Sequence, residues 1–276
     1  MRLKLGDSGD PVKRLQCGLN KFGALLLVDG DFGPLVRDAV LDTCTTLGKP
    51  ASPEVDDEFQ TSILNHPDPF PLLTSAGVTF IARAEVSGPR EYRRRYKHPV
   101  WPSVDSGITI GIGYDLRFTD RRRFFRDWED HLPAATIRRL AETLGQPGSK
   151  ETLAAVRDIE VPLPVAMSVF VGQTLPLFVE RTRAVYPELD ALTPWRRTAL
   201  VSLVYNRGNR LTDTDPVREN RREMRKIRDL LASGELDAVS AEIDSMSRLW
   251  ALPGLIQRRH DEAKLWRSGF EALQLG

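Results

Sequence analysis

Glu85, Thr109, Asp105 and Asp115 are the residues whose types and spacing can do chemistry. The threonine and the two aspartates lie twenty to thirty residues after the glutamate, within Asp105-Ser-Gly-Ile-Thr-Ile-Gly-Ile-Gly-Tyr-Asp115. Side chains alternate along a strand, so Ile108, Ile110, Ile112 and Tyr114 share one face. Thr109, Gly111, Gly113 and Asp115 share the other. That second face is nearly bare, and glycine lets a ligand approach the backbone closely. Carboxyl groups around such a surface suit acid–base cleavage of a glycosidic bond, one protonating the leaving oxygen and another activating water.

These groups need elements to position them. The spacing predicts a helix from Ser75, as cap, to about Val86. Val78, Ile81 and Glu85 fall at i, i+3 and i+7, which places Glu85 on the apolar face. A carboxyl group there loses hydration, which favours the protonated form a general acid requires. The competing reading is a glutamate at the edge of the core paired with one of the many nearby arginines. For the second carboxylate, six strand residues span about 20 Å. Thr109 and Asp115 therefore meet only if the chain bends, which Gly111 and Gly113 permit. Asp105 can reach Thr109 across Ser106-Gly107 without a bend.

The 276 residues are enough for one large or two ordinary domains. At 41% hydrophobic and 28% charged the chain is globular rather than disordered. The net charge of +1 gives no signal for nucleic acid. Residues 1–70 hold 7 Lys/Arg and 11 Asp/Glu, a net of −4, and the remainder holds 32 and 27, a net of +5. No run of eighteen apolar residues marks a membrane span, and no signal peptide is expected. Cys17 and Cys44 are read as two free thiols, and no cysteine or histidine spacing suggests a metal or cofactor.

Residues 5–47 read as a compact helical unit. Asp10-Pro11 starts a helix with Val12, Leu15 and Leu19 inward, and Gly23 ends it. Asp29-Gly-Asp-Phe-Gly33 forms a tight loop before a second helix carrying Val36, Ala39, Val40 and Cys44. This pattern resembles the peptidoglycan-binding domain of cell-wall hydrolases, through Leu5, Gly6, Gly9, Val12, Leu15, Gln16, Leu19, Gly23, Asp29, Gly30, Phe32, Gly33, Ala39 and Val40. It departs where the family usually has Phe-Gln and this chain has Thr43-Cys44, and where Val36 replaces a usual Thr. The resemblance implies a wall-binding module over residues 1–66, with Asp29, Gly30, Phe32 and Gly33 as its wall contacts. Proline and acidic residues mark 48–71 as a linker region, within which Phe59 to Leu64 can form one more turn.

The larger part, residues 72–276, resembles phage-type lysozymes, most closely the pesticin-like branch. The match comprises the helix ending in Glu85, the Ser-Gly-Ile-Thr-Ile-Gly-Ile-Gly-Tyr-Asp-Leu stretch, a central helix over Ala199-Leu-Val-Ser-Leu-Val-Tyr-Asn-Arg-Gly208, and a final helix with Gly254 to Arg259, Glu262 and Leu265. The resemblance implies a mainly α, lysozyme-like α+β fold: a small three-helix module, then a helical domain with a short β-hairpin at the active site. It implies hydrolysis of the β-1,4 bond between N-acetylmuramic acid and N-acetylglucosamine. Glu85 would be the acid and Thr109 would hold the water. The pesticin-like pattern points to Asp115 as the second carboxylate; the phage-lysozyme pattern, like local geometry, leaves Asp105 as the alternative. Bacterial peptidoglycan is the expected partner of a monomer made in the host cytoplasm, as an endolysin. Alternative settings are a bacteriocin or effector toxin with the same chemistry, or a non-catalytic wall-binding virion protein.

Gly111, Gly113 and Tyr114, Asn206 and Arg207 at the end of the central helix, and Trp101 are the remaining candidate glycan contacts. Trp101 reads equally as a sugar platform or a hydrophobic plug. Arg93-Arg-Arg95 and Arg121-Arg-Arg123 read as solvated faces or contacts to anionic wall polymer. Apolar residues recur at helical intervals from Val161 to Tyr186, and Pro176 is expected to break or kink that helix.

Overall fold

The computed structural model describes residues 2–275. They form a mainly helical protein whose only sheet, among the described residues, is a two-stranded antiparallel hairpin.

The first unit holds α1 (Asp10–Asn20), α2 (Pro34–Thr46) and α3 (Asp57–Leu64) around Val12, Leu15, Leu19, Phe32, Val36, Val40, Cys44, Phe59 and Ile63. Cys17 and Cys44 are both free. Within 48–71, the turn expected over Phe59 to Leu64 is present as α3 and packs into the first core. Val55 bonds Leu3 in both directions (2.8 and 2.9 Å), and Asp56 caps α3 by accepting from the Phe59 N–H at 2.8 Å. The acidic run that reads as solvated spacer supplies this cap and the first turn of α3, where carboxylates suit the helix dipole. Burial of Phe59 and Ile63 then ties the segment down, and Gly18 lets Ile63 cross α1 closely.

α4 (Thr74–Val86) begins the larger unit. Ser75 does not cap it: its backbone N–H donates to Asp68 Oδ1 at 2.8 Å, and Leu73 occupies the cap position. After α5 (Pro89–Glu91) come β1 (Thr109–Ile110) and β2 (Tyr114–Asp115), then α6 (Arg121–Trp128), α7 (Ala134–Ala141) and α8 (Lys150–Ala154). α9 (Leu163–Val169) runs through a wide π turn at Phe170–Thr174 into α10 (Leu175–Val185). The wide turn is how the chain keeps Pro176 inside one long helix, since proline lacks a donor and crowds the preceding turn. Leu163–Val185 is long and apolar enough to cross a membrane by composition. It sits here in the core through Val169, Leu175, Val179 and Val185, and one such stretch makes no integral-membrane pattern.

α11 (Pro194–Arg207) is the central helix, buried from Thr198 to Val204. α12 (Arg222–Ser233), α13 (Val239–Ser245) and α14 (Pro253–Ser268) complete the domain. α4 crosses α11 at Gly77, where a Cβ would lie 2.2 Å from Thr198 Oγ1. That close approach sets the height at which Glu85 leaves α4.

The two units are fastened together. Leu25 of the first belongs to the core of the second, and Arg83 on α4 donates to its carbonyl at 2.7 Å. Val28 N–H donates to the Gln274 carbonyl at 2.7 Å, and Arg93 pairs with Asp38 and Asp42 on α2. Arg93 thus serves as an internal clip rather than a free member of a basic run.

Candidate active site

The hairpin is a reversal. β1 and β2 pair in antiparallel register with Thr109 opposite Asp115 and Ile110 opposite Tyr114, and Gly111-Ile112-Gly113 forms the turn. Both glycines have positive φ, 59° and 68°, which side chains rarely adopt. The 20 Å that an unbroken strand would impose is therefore removed. Directly opposed residues place their Cβ atoms about 4.5–5.5 Å apart on one face. Asp115 is held rigidly: it accepts from the Gly107 N–H at 3.0 Å and the Arg117 N–H at 2.8 Å. The Thr109 hydroxyl makes no hydrogen bond among the described residues. Asp105 is exposed, unbonded among the described residues, and outside the hairpin.

Glu85 lies in the last turn of α4, half-buried, and its Oε1 accepts from Arg258 Nη1 on α14 at 2.6 Å. The arginine pairing and the apolar face thus coexist. Burial works against the Arg258 charge, but Glu85 and Glu262 beside it outweigh that, and its pKa is raised above the ordinary arginine value. Glu262 is fully buried, and its Oε1 accepts from Arg258, Arg259 and Ser202. A Cβ at Gly113 would lie 3.4 Å from Glu85 Oε2 and 2.9 Å from the Tyr205 hydroxyl. The hairpin turn therefore rests against the glutamate, and only glycine leaves the space between them.

Tyr205 on α11 holds that turn in place by donating to the Ile112 carbonyl at 3.0 Å. Burial, with the charge of Glu85, raises its phenol well above the ordinary tyrosine value, so it remains a neutral donor. We expect Tyr205→Phe to loosen the turn, costing about 1 kcal/mol in thermal unfolding. Under the function proposed below, it should also lower activity more than stability; equal activity would show that the clamp is dispensable.

The structure sets Thr109 opposite Asp115 and rests Gly113 of the hairpin turn against Glu85; other expected contacts are committed to different neighbours. Gly111 is buried, facing Trp128 and Ala166, because the turn rotates it inward. Tyr114 is buried too: its hydroxyl donates to Asp127 at 2.9 Å and its ring meets Trp128 edge-on. Trp101 is a plug, packed on the core, with Gly148 so close that a Cβ there would lie 2.3 Å from its ring. Arg207 lies over Trp250 at 4.8 Å and donates to the Asn220 carbonyl; Asn206 remains exposed beside it. In the loop of the first unit, Gly30 and Phe32 are buried, whereas Asp29, Asp31 and, in part, Gly33 reach the surface. Gly30 donates to Gln16 Oε1 at 2.9 Å, and Asp29 accepts from Gln16 Nε2 at 2.6 Å. The loop's signature residues thus build its own turn.

Three partners of the site were not singled out as functional from sequence: Tyr205, Arg258 and Phe178, whose ring lies 4.3 Å from that of Tyr205. Tyr205 and Arg258 stand in the helices that carry the lysozyme resemblance, but their reach to the hairpin and to Glu85 is tertiary. Comparison with known proteins returned no matching family model and no matching curated protein.

Proposed function

We propose that this protein is a peptidoglycan hydrolase cleaving the β-1,4 bond between N-acetylmuramic acid and N-acetylglucosamine. The observation that carries the reading is the hairpin reversal, which sets Thr109 against Asp115 and seats its glycine turn on Glu85. Glu85 protonates the leaving glycosidic oxygen. Thr109, with its uncommitted hydroxyl, orients a water, and Asp115 takes the proton as the water attacks C1 from the opposite face. No step calls for a metal or cofactor. The docked first unit fixes the orientation of the wall-binding surface relative to the cleft, in place of the loose tether a linker would make. The setting we favour is an endolysin, made in the bacterial cytoplasm and acting on the wall after release.

Turbidity loss on purified peptidoglycan tests the assignment of the second carboxylate. Asp115→Asn should lower the rate by about a hundredfold or more, and Asp105→Asn should leave it near that of the parent. The reverse pattern would move the role to Asp105. Mass analysis of the fragments separates hydrolysis, which leaves a reducing sugar, from transglycosylation, which leaves an anhydro sugar. A parent protein that clears no peptidoglycan would favour the non-catalytic wall-binding reading.

A further inference from the structure

Beside the hairpin a groove of about 250 Å³ is lined in part by Gly113, Tyr114, Asp115, Arg123, Phe178 and Arg181. Gly113 joins it to Glu85, and Phe178 lines one side with its ring packed on that of Tyr205 at 4.3 Å. The charges at the far end do not balance. Arg123 spends its charge on Asp127 at 3.2 Å, a carboxylate it shares with Arg126 at 2.9 Å. Arg181 lies over the Phe178 ring at 4.9 Å and, among the described residues, has neither a hydrogen bond nor an ion pair. Asp115 is the one carboxylate lining the groove, and backbone N–H groups already hold it. Burial and the neighbouring Arg123 charge lower the pKa of Arg181, as expected of a cation without a counter-ion.

Resting on the reading above, we propose that Arg181 is a specificity residue that binds a carboxylate carried by the glycan beside the bond to be cut. A guanidinium recognises a carboxylate through two parallel hydrogen bonds, and partial exclusion of water from the groove strengthens them. Two groups of the wall polymer offer that chemistry: the lactyl carboxylate of a muramic acid without a peptide, and the acidic residues of a stem peptide. A neutral N-acetylglucosamine polymer offers neither, so the groove would select wall glycan over chitin-like chains.

The test uses the full-length protein and its Arg181→Gln and Arg181→Lys variants on three substrates. These are intact peptidoglycan, peptidoglycan with its carboxyls amidated, and strands stripped of peptide by an amidase. Arg181→Gln should raise KM about tenfold with kcat little changed, lose that penalty on amidated material, and be partly rescued by lysine. A penalty on intact wall identifies the stem peptide as the source, and a penalty confined to stripped strands identifies the lactyl group. Equal KM for parent and Arg181→Gln on all three would overturn the proposal while leaving the hydrolase reading intact. In parallel, Arg Nε–H signals of the parent are followed by NMR as N-acetylglucosaminyl-N-acetylmuramic acid, with and without its stem peptide, or chitobiose is added. Shifts with either form of the first and not with chitobiose, lost in Arg181→Gln, would uphold the carboxylate site even in a protein that fails to cleave the wall. No shift and no cleavage would end both.

Discussion

Glu85→Gln is expected to lower clearing of purified peptidoglycan by about a thousandfold, the scale on which a positioned general acid contributes. It should do so without unfolding the protein. The amide keeps the volume of the side chain and an oxygen that can accept from Arg258 Nη1, and Arg258 keeps its second carboxylate, Glu262. What is lost is the ionisable proton, in a group whose Oε2 faces the hairpin turn. Turbidity assays and thermal unfolding on the same samples separate the two effects. Retention of more than about a tenth of the parental rate, outside the expected range, would remove Glu85 from the mechanism and leave its pairing with Arg258 as a purely structural contact.

Glu262→Ala should produce the largest loss of stability of any single charge deletion. Glu262 and Arg259 are completely buried, and Arg258 is 8% exposed. The glutamate compensates both guanidiniums and also accepts from Ser202 Oγ at 2.6 Å. Breaking a buried pair by removing one partner leaves a charge in a medium that cannot solvate it, at a cost of about 3–5 kcal/mol. For a chain of this size that corresponds to a fall in Tm on the order of 10 °C. Replacing Arg259 and Glu262 together by methionine should recover part of the loss, because apolar residues of similar volume fill such sites without a desolvation penalty. A single variant melting within about 2 °C of the parent would show that water reaches this cluster.

The two substitutions test different layers of one assembly. α14 brings Arg258 to Glu85 and Glu262 to Arg258, so the cluster that stabilises the helix packing also fixes the rotamer of the candidate acid. Activity lost in Glu262→Ala at temperatures where the protein remains folded would show that this coupling reaches the chemistry.

Much of the hairpin and of the central helix was legible because their signals are local. Glycine at 111 and 113 permits a reversal whatever surrounds it, since positive φ is a property of the residue itself. The alternation of Ile108, Ile110, Ile112 and Tyr114 correctly placed all four side chains in the core. The central helix from Pro194 to Gly208 carries its own start and stop. Local signals also misled. Tyr114 has the polar tip and flat ring of a sugar contact, yet its hydroxyl is committed to Asp127 on another element; of the two readings of Trp101, packing against Gly148 fits the plug. The prolines and acids of 48–71 read as a spacer until the buried Phe59 and Ile63 are seen against α1.

By itself, then, the sequence determined the mainly helical class, the extent of the central helix and the turn-forming glycines, because propensity and periodicity act within a few residues. Which side chains meet was decided only by the tertiary structure. The Arg258–Glu85 contact spans 173 residues and the Tyr205–Ile112 contact spans 93. At such separations no local rule applies. The pairing follows from how α4, α11 and α14 cross, and that depends on the summed packing of the whole core.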